Sequence, residues 1–188
     1  MPLLRPCLVL MAVFTVLTGF AYPLLVTGAA QLAFPDQANG SLVVDDGTVV
    51  GSRLIGQRSD GAGWFSPRPS AVAWHAAGSG GSNLAPVSEP QQKVWSERAA
   101  VLRASGVQGT LPADLLTASG SGLDPHLSPE AAVLQIPRIA ATRGLDPERL
   151  QRLVSERTEP PQFGLLGARR VSVLELNRAL ARMAAGER

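Results

Sequence analysis

The longest apolar stretch of the chain lies near its N-terminus. No charged residue occurs between Arg5 and Asp36, and positions 7–33 are almost continuously apolar. A helix that crosses a bilayer core needs about 20 such residues, whereas the apolar region of a signal peptide has about 7–15. No polar stripe interrupts the run, unlike the pattern of a buried core helix. We therefore predict a tail at 1–6 and a transmembrane helix at 7–33. The alternative is a signal peptide cleaved after the small residues at 28–30.

Two features of this segment predict how it is placed. Thr15 and Gly19 are small residues four positions apart, a spacing that lets a partner helix approach closely, so they form a candidate docking face. Positive residues near a span stay on the cytoplasmic side. Arg5 precedes the span, and no Lys or Arg follows it until Arg53. We expect a single-pass protein with a cytoplasmic N-terminus and an extracytoplasmic domain.

Beyond the apolar segment, short β-prone runs come first. Residues 41–44 and 48–50 flank Asp45-Asp46-Gly47, which is typical of a hairpin turn. The chain then stays rich in Gly and Pro to about residue 90, which indicates loops.

A helical period begins after Ser88, where Gln91 completes a capping-box pattern. Pro137 should kink or split a later helix that starts after Ser128 and stops at Gly144. Early strands followed by late helices predict one soluble α+β domain at 34–188. The predicted helices lie at 88–104, 112–117, 128–144, from 146 onward, and from 172 to near the C-terminus.

Composition removes several classes of function. One cysteine (Cys7) and two histidines exclude a disulfide framework and a Cys/His zinc cage, so no metal site is predicted. A net charge of +2 gives no indication of a nucleic-acid partner. The single lysine, Lys93, is not in a P-loop motif, and neither a Gly-x-Ser-x-Gly nor a His-Glu-x-x-His motif occurs. Asp124 and His126 leave a membrane-anchored hydrolase open as an alternative, although spacing alone does not define a triad.

A glycine–serine segment is the strongest candidate for ligand binding. It consists of Ser119, Gly120, Ser121 and Gly122 and lies just before the predicted helix at 128. Consecutive flexible residues can aim several backbone N–H groups at one anion, and a helix N-terminus adds positive potential. The alternative is a connecting loop without a ligand.

Short segments spread over most of the chain form a further pattern. They are Gly-Ser-x-Leu-Ile-Gly-Gln at 51–57, Phe-Ser-Pro-Arg-Pro-Ser at 65–70, Ser-Gly-Gly-Ser-Asn-Leu at 79–84, Pro-Ala-Asp at 112–114, Thr-Ala-Ser-Gly-Ser-Gly-Leu-Asp-Pro-His at 117–126, Gln-x-x-Arg at 135–138, Arg-Gly at 143–144 and Val-Ser-Val-Leu-Glu-Leu-Asn at 171–177. In this order they resemble the KdpC family, the C subunits of bacterial Kdp potassium-transporting ATPases. Pro67 and Trp74-His75 depart from the usual family pattern.

The resemblance implies a non-catalytic accessory subunit in the bacterial inner membrane. Its implied partners are a channel-like potassium-translocating subunit, a P-type ATPase subunit and membrane lipid. Such a subunit is expected to stabilise the complex and to act as a catalytic chaperone that raises the ATPase subunit's affinity for ATP. Any ATP would be bound jointly with the ATPase subunit and not tightly by this chain. The implied nucleotide contacts are Gln135 and residues 119–122. A membrane-anchored extracytoplasmic binding module is the alternative function.

Overall fold

The computed structural model describes residues 3–186, which form two compact units. Unit 1 ends at Ser52, and unit 2 begins at Arg53. Unit 1 contains α1 (Leu4–Val16), a π-helical turn (Leu17–Ala21), α2 (Tyr22–Ala33), α3 (Pro35–Ala38), β1 (Leu42–Asp45) and β2 (Thr48–Ser52). Unit 2 contains α4 (Glu89–Ala104), α5 (Ala113–Leu116), β3 (His126–Leu127), α6 (Pro129–Val133), α7 (Ile136–Arg143), α8 (Pro147–Glu156), β4 (Thr158–Glu159), β5 (Arg170–Ser172) and α9 (Val173–Gly186).

The predicted apolar helix is confirmed. α1, the π-helical turn and α2 form one continuous helix over Leu4–Ala33, 30 residues long with none buried. At 1.5 Å per residue it is about 45 Å long, more than the roughly 30 Å of a bilayer core. Within residues 3–186 it is the one helix that is long and apolar enough to cross a membrane, a test that a signal sequence also passes.

The widened turn in this helix has a local cause. Tyr22 donates its N–H to the carbonyl of Leu17, five residues back. Pro23 follows immediately and has no N–H, so it cannot donate the α-helical hydrogen bond to the carbonyl four residues back. The helix resumes as α2 with Pro23 in its first turn, where proline is tolerated.

The predicted hairpin is also confirmed. β1 and β2 pair antiparallel, with Asp45 opposite Thr48. Asp46 and Gly47 form the two-residue turn, with φ of +49° and +77°. Positive φ at both central positions is the geometry that matches the twist of the flanking strands.

The helices of unit 2 follow the predicted order, with one local difference. Pro137 does split its helix, because α6 ends at Val133 and α7 begins at Ile136. Ser128 caps α6 by accepting the N–H of Ala131 at 3.1 Å. The predicted capping box at Ser88 is wrong, since the Ser88 hydroxyl instead donates to the carbonyl of Ala85 at 2.7 Å.

Unit 2 also contains a small antiparallel sheet that the hydrophobic pattern does not predict. β5 lies between β3 and β4, so Val171 is opposite both Leu127 and Thr158. Strands of two or three residues are too short to show an alternating apolar and polar pattern, so the hydrophobic pattern does not reveal them.

The core of unit 2 forms where α6, α7, α8 and α9 pack around this sheet. Phe65 enters it from the loop region and is held by Asn177, whose side-chain amide accepts the N–H of Phe65 and donates to its carbonyl, both at 2.9 Å. The largest fully buried side chains in this core are Phe65, Ile139, Leu150, Leu176, Leu180, Val154 and Val171.

Candidate functional site

The glycine–serine segment at 119–122 packs against the glycine-rich segment at 79–84. The carbonyl of Ser121 accepts hydrogen bonds from the N–H of Gly80 at 2.8 Å and from the hydroxyl of Ser79 at 3.1 Å. Residues 79 and 121 are 42 positions apart, so no local pattern predicts this contact. The two loops therefore support each other.

Gly122 is required at this contact by both its conformation and its surroundings. Its φ is +66°, in the left-handed region that L side chains rarely adopt. A Cβ at this position would lie 2.6 Å from Cγ2 of Val72 and 2.7 Å from the carbonyl oxygen of Gly80. Backbone conformation and packing together therefore account for the glycine, without a ligand.

Part of the predicted anion nest is already engaged inside the loop. The N–H of Gly122 donates to the carbonyl of Ser119 at 3.2 Å, and the N–H of Leu123 donates to the hydroxyl of Ser121 at 3.0 Å. Ser119 is buried, and its hydroxyl lies 3.4 Å from that of Ser121. An anion bound here would have to compete with these internal hydrogen bonds.

Gln135 is buried between α6 and the chain around Ser66. Its Oε1 accepts the N–H of Ser66 at 2.8 Å and a guanidinium N–H of Arg138 at 3.0 Å. Its Nε2 donates to the carbonyls of Ser66 at 3.1 Å and Ala131 at 3.3 Å. Both donors and both acceptor positions of the amide are therefore occupied by the protein itself.

Gln135 also borders a groove of unit 2, whereas none of residues 119–122 lines it. The groove has a volume of about 640 Å³ and mostly apolar walls, and it lies between α4, α7 and the loop that contains Ser66. The structure thus does not bring the two predicted nucleotide contacts together in this groove. Its charged lining residues are Arg58, Glu97, Arg98 and Arg138.

Two of these arginines are tied to the backbone. Arg98 donates to the carbonyl of Leu116 at 2.6 Å, and Arg138 donates to the carbonyls of Ala62 and Trp64. Burial lowers the pKa of both guanidinium groups, although arginine stays charged at neutral pH. The groove therefore has a cationic lining on apolar walls, a combination that the spacing of these residues in the sequence did not reveal.

Asp124 and His126 are neighbours, but not in the geometry of a catalytic triad. Asp124 forms an ion pair with Arg68 at 3.0 Å and accepts the backbone N–H of His126 at 3.0 Å. The His126 ring nitrogen Nδ1 lies 3.8 Å from Asp124 Oδ1, beyond hydrogen-bond range. In a triad, the carboxylate would accept directly from the ring.

The electrostatic surroundings of His126 favour its neutral form. Burial lowers the pKa of His126, and the nearby charge of Arg170 lowers it further, against the raising effect of Asp124 and Glu159. Among residues 3–186, the His, Cys, Asp and Glu side chains form no group that could hold a metal ion.

The predicted docking residues lie on the apolar helix of unit 1. Thr15 donates its hydroxyl to the carbonyl of Met11 at 2.7 Å, so its polar group is satisfied within the helix. Gly19 lies within the π-helical turn, and nothing would be within 4 Å of a Cβ placed there. Gly19 therefore leaves an open notch on the helix surface.

Comparisons with known proteins agree on one family. A family model described as KdpC: K+-transporting ATPase, c chain, matches residues 4–182. Similar proteins, each named Potassium-transporting ATPase KdpC subunit, occur in several bacteria. The chain is 50% identical to that of Geobacter sulfurreducens over 94% of this chain and 96% of the relative. It is 53% identical to that of Polaromonas naphthalenivorans over 95% and 93%, and 51% identical to that of Variovorax paradoxus over 97% of each.

Proposed function

Because the chain belongs to the KdpC family, the c chains of K+-transporting ATPases, we propose that it acts as a non-catalytic accessory subunit of such a complex. Its partners are a channel-like subunit that translocates potassium and a P-type ATPase subunit. In this proposal the chain stabilises the complex and raises the ATPase subunit's affinity for ATP. The family match supports this role because residues 4–182 include the apolar helix and most of unit 2.

The observation that carries the proposal is the apolar helix. The large side chains of Leu8, Phe14 and Leu25 are each more than half exposed, and no residue of Leu4–Ala33 is buried. Such a surface is stable only in contact with lipid or with apolar side chains of other proteins. A retained span that packs beside partner helices has such contacts, whereas cleavage as a signal peptide would remove the helix.

We propose further that the ATP effect is transmitted through the partner subunits. Direct phosphate binding at residues 119–122 would compete with the hydrogen bonds of Gly122 and Leu123. Direct binding by Gln135 would require breaking its bonds to Ser66. A joint ATP site with the ATPase subunit is the alternative, and it predicts nucleotide contact at these same residues.

The charge distribution supports an orientation in the bacterial inner membrane that agrees with transmission. Arg5 lies in the first turn of the helix, ahead of its uncharged run, and Arg53 is the next positive residue, 20 positions beyond Ala33. Only positive residues within about 15–20 positions of a span influence its orientation. The N-terminus is then cytoplasmic and unit 2 is extracytoplasmic, on the opposite side from cytoplasmic ATP.

Cysteine labelling tests this orientation directly, since Cys7 is the only natural cysteine. In a Cys7→Ser background, Ser155→Cys places one thiol on the exposed surface of α8. A membrane-impermeant maleimide should label it in intact cells whose outer membrane has been permeabilised. Leu3→Cys in the same background is the matched control for the opposite end, and it should react only after the inner membrane is opened. The reverse pattern would overturn the orientation and favour direct nucleotide contact.

The functional proposal is tested on the purified complex. Affinity capture through the ATPase subunit should retain this chain in mild detergent. The ATPase activity of complexes lacking the chain should require a higher ATP concentration for half-saturation. An unchanged ATP requirement would refute the chaperone role, and failure of the wild-type chain to co-purify would refute the role as a subunit.

A further inference from the structure

The turn between β4 and β5 presents three large apolar side chains to solvent. Phe163, Leu165 and Leu166 are 85%, 87% and 61% exposed, and none belongs to the core of unit 2. All residues from 162 to 170 are exposed. Single exposed apolar residues are ordinary, but a contiguous group of them marks an interaction site.

The backbone of this turn is held in one geometry. Gln162 and Leu166 exchange hydrogen bonds, with the Gln162 N–H to the Leu166 carbonyl at 2.8 Å and the Leu166 N–H to the Gln162 carbonyl at 2.9 Å. Gly164 donates its N–H to the carbonyl of Pro161 at 2.9 Å. A turn already fixed in this way loses little conformational entropy when it binds, which favours affinity.

Phe163 adopts a conformation that unit 2 does not compensate by packing. Its φ is +55°, in the left-handed region that is unfavourable for a bulky residue. Such strain persists where it serves a function, and here it holds the ring out in solvent and does not bury it. The strain and the exposure are independent observations that point to the same role.

Two arginines follow the turn, and they differ in whether an acidic residue is paired with them. Arg170 is paired with Glu159 at 2.9 Å across the strands. Arg169, which is also exposed, has no ion pair among residues 3–186. A surface that covers the apolar tip would therefore bring a carboxylate to Arg169, because apolar contacts at the centre and matched charges at the rim are the usual anatomy of an interface.

We propose that this turn anchors the chain to another protein subunit of the potassium-transporting complex, by inserting Phe163, Leu165 and Leu166 into an apolar pocket with an acidic rim. The inference rests on the proposed function, which requires partner proteins. A protein pocket is favoured over lipid because a fluid bilayer accepts apolar side chains from any backbone geometry. A shaped pocket instead selects a fixed turn with one strained residue.

The first test compares two exposed aliphatic residues of unit 2. Leu165→Ser removes an apolar group from the turn, and Val87→Ser removes one from a surface position that is 85% exposed. Retention of each full-length variant is measured by affinity capture of the complex in detergent at increasing dilution. We expect at least about a tenfold loss of affinity for Leu165→Ser, as for a central interface residue, and no change for Val87→Ser. Equal retention of the two variants, with the wild type retained, would overturn this inference and leave the proposed function intact.

The second test separates binding from folding. Phe163→Asn places a residue that tolerates positive φ at the strained position. The isolated full-length chain should therefore be as stable as the wild type or more stable, while its retention in the complex falls. A variant that loses stability and retention together would show that Phe163 supports the fold, and the proposal would fail.

The third test distinguishes protein from lipid. An environment-sensitive fluorophore is attached to Leu165→Cys in the Cys7→Ser background. The labelled chain is placed in vesicles of phosphatidylethanolamine and phosphatidylglycerol, either alone or as part of the assembled complex. A blue shift only in the complex is expected. A blue shift of the same size in the chain alone would identify lipid as the occupant and would overturn the proposal.

Discussion

Replacing Gln135 by alanine should destabilise unit 2, because its side chain joins two segments that are 69 residues apart. The amide makes two hydrogen bonds with Ser66 and further bonds with Ala131 and Arg138. Arg138 keeps its hydrogen bonds to the carbonyls of Ala62 and Trp64, and Ala131 lies within α6. The two hydrogen bonds to Ser66 are therefore the main loss. A hydrogen bond contributes about 0.5–1.5 kcal/mol net, and a buried group left without a partner costs about 1–3 kcal/mol.

The expected loss is therefore about 2–4 kcal/mol in the free energy of unfolding. This is a large fraction of the roughly 5–15 kcal/mol that stabilises an ordinary domain. All three tryptophans lie at or after residue 64, so tryptophan fluorescence reports on unit 2. Urea unfolding of the full-length chain in mild detergent would give both the midpoint and the slope. Gln151→Ala is the matched control, because Gln151 is exposed on α8 and its replacement should change stability by less than about 0.5 kcal/mol.

The same variant separates a structural role from a nucleotide-binding role. If Gln135 acts by holding Ser66 in place, stability falls in the isolated chain with or without ATP. A Gln135→Ala variant that unfolds at the wild-type urea concentration, yet raises the ATP requirement of the complex, would refute our reasoning. That result would establish Gln135 as a direct nucleotide contact.

Three other predictions follow from the same structure. Gly122→Ala should cost about 2–4 kcal/mol, from the positive φ and the clash with Val72, and a wild-type midpoint in urea would contradict this packing. Because the pKa of His126 is lowered in the folded chain, its contribution to stability should be fully present above about pH 6.5, where the His126 side chain is neutral in the unfolded chain as well. This contribution should be lost as the pH falls below that value. Unfolding at pH 7.5 and 5.5 measures this loss, which His126→Gln should reduce. Gly19→Leu should weaken retention in the complex because it adds bulk to the face that Gly19 shares with Thr15, whereas Gly28→Leu, the same change elsewhere on that helix, should not; equal effects would argue against a docking face at Gly19.

The sequence alone determined the features that depend on neighbouring residues. The uncharged run after Arg5 predicted the apolar helix, because length and composition suffice to identify such a segment. Pro137 and Gly144 predicted where a helix divides and ends, since both act on the local backbone. The ordered short segments indicated the family that the comparisons then confirmed.

The tertiary structure decided which distant residues meet, and therefore which hydrogen-bonding groups of the candidate site are already engaged within the protein. β3 and β5 pair across more than 40 residues and are too short to be recognised by periodicity. Gln135 was predicted as a nucleotide contact from the family resemblance, and it stays a prediction, but the fold shows that its amide is hydrogen-bonded to Ser66. Some hydrogen-bonding groups of the 119–122 loop are likewise already bonded within the loop or to Gly80. Hydrogen-bonding capacity is a property of a residue type, but whether it is free for a ligand depends on contacts that only folding brings together.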